Sequence, residues 1–163
     1  MRHGRILGFL FGVASAVLCS TRPAHASHYA VGDVPSLISA ADSEKLKKSG
    51  ISTTEELLAH AAKPQDRKAL AKRAGLPGAS LLVLAKRCDL LRIKGVGPEM
   101  VLLLEAAGVS TSAELAQKEA GALTVSANAA NKVKKISEKP PTEPQFEDWI
   151  AQAKKLPQMI ETR

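Results

Sequence analysis

The chain has 163 residues, a formal net charge of +7 and only 3% aromatic residues. This length suffices for one ordinary domain with a buried core. So few aromatic side chains exclude a platform that stacks nucleic-acid bases, and four histidines with two cysteines give no support to a metal site.

The first 26 residues are predicted to be a secretory signal peptide. A basic start is followed by an apolar run over residues 6–19, which is too short for a comfortable membrane span. Residues 24–26 (Ala-His-Ala) have the small-x-small pattern of a cleavage site, so we expect cleavage after Ala26 and export to the periplasm or the medium. An uncleaved N-terminal anchor is the alternative. Cleavage would lower the net charge from +7 to +4, because the leader carries three arginines and no acidic residue.

The mature chain is predicted to have a flexible N-terminus over residues 27–32 and one domain over residues 33–160. Its single cysteine, Cys88, rules out an internal disulfide. Because Cys88 falls on an apolar helical stripe, we expect a buried core thiol; an intermolecular bridge or a reactive thiol is the alternative. We also expect Leu103, Leu104 and Leu115 in the core.

Helical patterns cover most of the mature chain, and β-branched alternation is nearly absent. Thr53 and Glu56 match a capping box, and Gly75 suits a helix end. Residues 138–144 contain three prolines and are predicted to be a linker. The predicted helices span residues 42–49, 54–62, 64–74, 79–91, 98–107, 119–137 and 146–156.

One segment of the chain occurs twice. Residues 50–57 (GISTTEEL) align with residues 108–115 (GVSTSAEL), 58 positions later, and the second segment repeats the capping box with Thr111 and Glu114. We therefore expect two copies of one helical unit.

Two glycines one residue apart, Gly95 and Gly97, lie between two predicted helices. Apolar Ile93 and Val96 beside them suit a tight turn, and Pro98 suits the first turn of the next helix. Such a turn leaves backbone N–H groups facing outward, in a shape that suits a phosphate.

The first copy lacks these glycines. The alignment places Leu37 at the position of Gly95 and Ser39 at the position of Gly97. Whatever the second hairpin binds, the first is therefore expected not to bind in the same way.

These motifs carry a family likeness. Residues 93–98 (IKGVGP), followed by residues 105–111 (EAAGVST), resemble the helix-hairpin-helix superfamily. Together with the tandem copy and residues 147–157 (EDWIAQAKKLP), they look like one bacterial family of double helix-hairpin-helix domains without an assigned function, over residues 33–160. The resemblance implies an all-α bundle of two helix-hairpin-helix units, the first degenerate, with a C-terminal helix docked by Trp149.

In DNA-binding members of this superfamily, hairpin amides hold a phosphate of one strand and read no bases. The candidate phosphate-binding residues implied here are Arg92, Lys94, Gly95, Val96 and Gly97. The amides of Gly95 and Gly97 would donate, and Lys94 and Arg92 would add charge.

Other residues oppose DNA binding. Binding members usually have Lys or Arg where this chain has Glu99, and a carboxylate at a helix start satisfies the helix dipole and repels a phosphate. Basic residues come in scattered pairs such as Lys86-Arg87, which is typical of solvated helix faces. If these side chains cluster around the hairpin, DNA binding is favoured; ion pairs to acids of the following helix favour packing.

Enzyme classes find no support. A base-excision glycosylase of this superfamily would need an aspartate beyond the hairpin, and no Asp lies between Asp89 and Asp148. His28 and His60 lie far apart, and nothing marks a nucleophile. We therefore expect a non-enzymatic module, without metal or cofactor, that acts by protein interaction or scaffolding with an unknown partner. The alternative is weak, sequence-independent DNA binding through the hairpin of residues 93–98.

Overall fold

The computed structural model describes residues 28–162, which form eight α-helices and no β-strand. The helices are α1 (Ala40–Lys48), α2 (Thr54–Ala61), α3 (Pro64–Ala74), α4 (Gly78–Leu90), α5 (Pro98–Ala106), α6 (Ser112–Leu115), α7 (Ala120–Lys134) and α8 (Glu143–Ala153). The predicted all-α class is thus confirmed. The signal peptide predicted for residues 1–26 lies outside the described residues.

Both copies of the repeat adopt the same local structure. α1 and α5 contain nine residues each, start 58 residues apart and end before Gly50 and Gly108, whose φ angles are +80° and +84°. In each copy the residue after the glycine donates its N–H to the carbonyl five residues back, at 3.0 Å and 2.9 Å. Thr53 and Thr111 then accept the N–H three residues later, at 3.1 Å in both copies. This is the helix-end and helix-start chemistry that glycine and threonine favour.

Helices at equivalent positions of the two halves make equivalent packing contacts. In the first half α3 packs against α1 and α4, and α2 packs against α4; α2 also contacts α3. In the second half α7 packs against α5 and α8, and α6 packs against α8. The turn between α4 and α5 therefore joins two four-helix units.

The core is mostly aliphatic, and Phe146 and Trp149 of α8 are its buried aromatic side chains. Leu103, Leu104 and Leu115 are at most 1% exposed, which confirms their predicted burial. Cys88 is also buried, and burial raises the pKa of its thiol to about 12. The thiol is therefore protonated and unreactive at neutral pH, as expected for a core position.

The last helix begins and ends three residues earlier than predicted. The N–H of Thr142 donates to Oε1 of Gln145 at 2.9 Å, which caps the helix start. Pro144 therefore lies in the first helical turn, where its missing N–H costs nothing. Residues 154–156, which the predicted helix included, form turns.

Both ends of the described chain are held against the first half. The N-terminus predicted to be flexible covers residues 27–32, but within its described part the Tyr29 backbone pairs with Thr54, the first residue of α2, and the N–H of Val31 donates to the carbonyl of Ser52 at 2.9 Å. Val31 is fully buried. At the other end, Nη2 of buried Arg67 donates to the carbonyl of Glu161 at 3.0 Å, and Ile160 is buried. The N–H of Glu161 also donates to the carbonyl of Ala62, at the end of α2.

Within residues 28–162, no helix is both long and apolar enough to cross a membrane.

Candidate functional site

The glycine hairpin connects α4 to α5 by successive tight turns. The N–H groups of Ile93 and Val96 donate to carbonyls three residues earlier, at 3.1 Å and 3.0 Å. Both side chains are fully buried, so they fix the turn to the core. Gly95 has φ +91°, a conformation that other residues adopt only with strain. Gly97 has extended backbone and precedes Pro98, the first residue of α5.

Helix α8 covers one side of the hairpin. The side-chain amide of Gln152 pairs with both backbone groups of Lys94: its Oε1 accepts the N–H at 2.9 Å, and its Nε2 donates to the carbonyl at 3.2 Å. The same Nε2 donates to Oδ2 of Asp148 at 2.8 Å, which holds the amide in this orientation. One hairpin amide is therefore already occupied by the chain itself.

Trp149 fills the space beside Gly95. Its indole Nε1 would lie 3.0 Å from a Cβ atom placed on Gly95, closer than such atoms ordinarily approach. Phe146 supports the indole edge-to-face, with ring centroids 5.4 Å apart and an interplanar angle of 86°. Trp149 is 4% exposed, so its predicted role in docking the C-terminal helix is confirmed. Gly95 is needed here both for its positive φ and for the absence of a side chain.

The arginines near the hairpin are bound to carboxylates. Nη1 of Arg92 donates to Oδ1 of buried Asp89 at 2.6 Å and to the carbonyl of Pro157 at 3.1 Å. Arg87 forms a two-pronged ion pair with Glu105 of α5, at 2.9 Å and 3.0 Å. Arg87 also donates to the carbonyl of Leu37, so it ties the turn before α1 to α4 and α5.

Asp89 is the centre of a buried polar cluster that the sequence pattern did not predict. Its Oδ2 accepts both the N–H and the hydroxyl of Ser112, each at 2.7 Å, while its Oδ1 binds Arg92. A carboxylate that is 1% exposed needs such partners, because an unpaired buried charge is costly. The available sequence signal was one acidic residue inside the apolar pattern of α4.

Part of the hairpin keeps free donors. Within residues 28–162, the backbone N–H groups of Gly95, Gly97, Glu99 and Met100 have no acceptor. The side chain of Lys94 is exposed. Gly95 and Glu99 are exposed and Gly97 and Met100 are partly buried, so these four residues form a small, partly exposed surface at the start of α5.

Two grooves border this surface, and both carry charges of mixed sign. One, of about 630 Å³, is lined by Lys94, Gly95, Asp148, Trp149 and Gln152 among others. The other, of about 590 Å³, brings Glu99 beside Lys135 and Lys139 from the segment after α7.

The five residues predicted to bind a phosphate have different roles in the structure. Arg92 and Val96 are used in packing, the Lys94 backbone is paired with α8, and the Gly95 and Gly97 amides stay free.

The described residues contain no group of three or more His, Cys, Asp or Glu side chains that could hold a metal ion.

Residues 36–156, about three quarters of the chain, match the model of a family described as Domain of unknown function (DUF4332). The chain therefore belongs to this family. No curated protein and no solved structure matches it.

Proposed function

We propose that this member of the family is an exported, non-enzymatic interaction module of helix-hairpin-helix type, whose glycine hairpin docks its own C-terminal helix. The observation that carries the proposal is the pairing of Gln152 with the Lys94 backbone, next to the contact of Trp149 with Gly95. A ligand that needed this side of the hairpin would have to displace α8. The hairpin then acts as a packing element, and the partner surface lies elsewhere.

The charges near the hairpin support the same conclusion. DNA binding would draw on Arg87 and Arg92, but Glu105 and Asp89 already bind their guanidinium groups. The Arg92 pair is mostly buried, and breaking such a pair leaves an uncompensated charge behind. A phosphate would therefore compete with carboxylates that the fold holds in place.

A DNA-retardation assay tests the proposal. We expect the purified protein to cause no salt-dependent retardation of duplex DNA at low ionic strength. Glu99→Lys is the matched variant, because it introduces the positive charge that DNA-binding hairpins usually carry at this position. Tight DNA binding by the unaltered protein, together with failure to recover a protein partner in a pull-down, would overturn the proposal.

A second candidate function is weak, sequence-independent DNA binding, favoured by the unpaired amides of Gly95, Gly97 and Glu99. Together with the exposed Lys94, they offer donors to one phosphate. This candidate predicts roughly micromolar affinity that falls steeply with salt. Gly97→Val should remove the binding and Glu99→Lys should strengthen it. Absence of retardation by both the unaltered protein and Glu99→Lys would end this candidate.

A further inference from the structure

The C-terminal tail, residues 157–162, follows α8 and contains no helix. Its hydrogen bonds to the rest of the described chain come from main-chain groups of the tail. The carbonyl of Pro157 accepts from Nη1 of Arg92 at 3.1 Å, and the N–H of Glu161 donates to the carbonyl of Ala62 at 3.0 Å. Because no side chain of the tail takes part in these bonds, they do not depend on the sequence of the tail.

A buried arginine of α3 also holds the tail. Arg67 is 7% exposed and forms no ion pair within residues 28–162. Its Nη1 donates to the carbonyls of Ala61 and Ala62 at 2.7 Å and 3.1 Å, and its Nη2 donates to the carbonyl of Glu161 at 3.0 Å. A buried guanidinium group needs its acceptors, because an unpaired buried charge is costly. The position of Glu161 therefore requires a main-chain carbonyl, from the tail or from another segment.

One side chain of the tail is buried in the core. Ile160 is 6% exposed, Met159 is partly buried, and Gln158, Glu161 and Thr162 are exposed. The surface beneath the tail therefore selects an aliphatic side chain at the position of Ile160, whereas the exposed positions beside it place weaker demands on the sequence.

A cavity of about 430 Å³ remains beside the tail. Gln158, Ile160 and Thr162 line it from the tail side, which is the alternate-residue pattern of an extended chain. Lys86 and Glu114 line it from the other side and carry opposite charges, so the cavity favours a neutral side chain. The side chains of the tail do not fill this space. A segment with a larger neutral side chain beside the aliphatic residue would bury more surface there.

We propose that the tail groove, which is the surface beneath the tail at Ala62 and Arg67 together with this cavity, binds an extended segment of a partner protein that displaces the tail. The segment brings a main-chain N–H and carbonyl for Ala62 and Arg67, an aliphatic side chain in place of Ile160 and an aromatic side chain for the cavity. The tail is then an internal competitor that covers the groove until such a segment binds. The inference rests on the proposed interaction function and identifies the surface that performs it.

Binding of a labelled synthetic peptide with the sequence of residues 156–162 (LPQMIET) tests the groove by fluorescence anisotropy. The tethered tail competes at an effective concentration of roughly millimolar, so the unaltered protein should bind the free peptide weakly. Ile160→Asp in the protein removes the aliphatic anchor of the tail and should strengthen peptide binding by at least about tenfold, because the groove is then open. Ile160→Ala, a milder change, should act in the same direction.

Glu161→Gln in the protein is the matched control. It changes an exposed side chain of the same tail and keeps both main-chain bonds of this residue, so peptide affinity should stay unchanged. Circular dichroism checks that the variants fold.

Hydrogen exchange locates the bound peptide. In isotope-labelled unaltered protein, excess peptide should remove the protection of the Glu161 amide, because the peptide takes the carbonyl of Ala62 from the tail. The size of the peptide side chain tests the cavity. A peptide with Gln158→Tyr should bind at least about threefold tighter than the tail sequence, because the ring fills space that the glutamine leaves open.

Three results would overturn this inference: equal peptide affinity of Ile160→Asp and the unaltered protein, peptide binding that leaves the Glu161 amide protected, and a Gln158→Tyr peptide that binds no tighter than the tail sequence. A dimer that forms by exchange of tails would assign the groove to a second copy and would overturn it as well. Failure of the peptide to bind would leave the interaction function standing, whereas tight DNA binding in the retardation assay would remove that function itself.

Discussion

The two copies of the repeat have the same arrangement of helix and helix ends, but they differ in the turn that precedes the first helix. Both place a nine-residue helix between an extended residue and a glycine with positive φ. In the first copy the turn carries Leu37, which is 3% exposed and belongs to the core. In the second copy the equivalent residue is Gly95, and Trp149 of α8 occupies the space beside it.

The turns at this position of the repeat therefore serve different packing tasks. Leu37 fills the core with its own side chain, and its carbonyl accepts from Arg87. Gly95 instead has no side chain, so α8 can approach the backbone of Lys94. Docking of α8 thus gives a physical reason for the glycine that does not involve a phosphate.

The largest effect is expected for Trp149→Ala, which removes the contact between α8 and the second copy. Removing a large aromatic side chain that is 4% exposed should lower the free energy of unfolding by about 4 kcal/mol, because the cavity beside Gly95 cannot be refilled. Urea denaturation measures the change. Trp149→Phe keeps a ring and should cost less than the alanine variant. A loss below about 1 kcal/mol for Trp149→Ala would mean that α8 does not depend on this contact.

Gly95→Ala, compared with Gly108→Ala, separates the cost of backbone strain from the cost of crowding against Trp149. Alanine at φ +91° is strained, and its Cβ would meet the indole of Trp149, so we expect a loss of about 2–3 kcal/mol. Gly108→Ala is the matched control: its φ is +84°, but nothing lies within 4 Å of the added carbon. It should cost about 1 kcal/mol. Equal losses in thermal denaturation would show that Trp149 does not restrict this position.

Replacing two buried serines with alanine, one in each half, should change the free energy of unfolding in opposite directions. Oγ of Ser43 has no hydrogen-bond partner among the described residues, and the second copy has Val101 at this position. Ser43→Ala should therefore raise the free energy of unfolding by up to about 1 kcal/mol. Ser112→Ala should lower it by about 1–2 kcal/mol, because Asp89 loses a donor. Destabilisation by both changes, measured by urea denaturation, would contradict the assignment of Ser43 as an unpaired hydroxyl.

The smallest expected effect concerns the capping box of the first copy. The N–H groups of Ser52 and Thr53 lower the pKa of Glu56 below its ordinary value of 4.5. A group with a lowered folded pKa stabilises the protein above its unfolded pKa, and this contribution is lost as the pH falls through the folded pKa. Glu56→Gln should therefore flatten the acid side of the stability profile slightly. Urea denaturation between about pH 6 and about pH 3 measures it, and an unchanged slope would contradict the prediction.

Local signals in the sequence predicted most of the helical framework. Gly50, Thr53 and their counterparts 58 residues later act on neighbours within five residues, so their effects are visible without the rest of the chain. The start of α8 escaped prediction because Pro144 suggested a linker. Pro144 is compatible with the first turn of a helix once Thr142 and Gln145 cap it.

The sequence predicted the turn of the candidate site but not the hydrogen-bond partners of its residues. Gly95 and Gly97 mark a tight turn through their own conformational freedom. Arg92 hydrogen-bonds to Asp89 and Pro157, and the Lys94 backbone pairs with Gln152. Pro157 and Gln152 lie far along the chain from the hairpin. Sequence spacing does not reveal which distant carboxylate or amide will reach a given donor.

Where helices start and stop, which residues repeat and which side chains are apolar enough to be buried can be read from the amino-acid sequence, because these properties depend on backbone conformation and on near neighbours. Which hairpin amides are paired and which stay free follows instead from the three-dimensional packing of distant segments. Those outcomes depend on contacts such as the one between Lys94 and Gln152, 58 residues apart, which form only when α8 has packed against the hairpin.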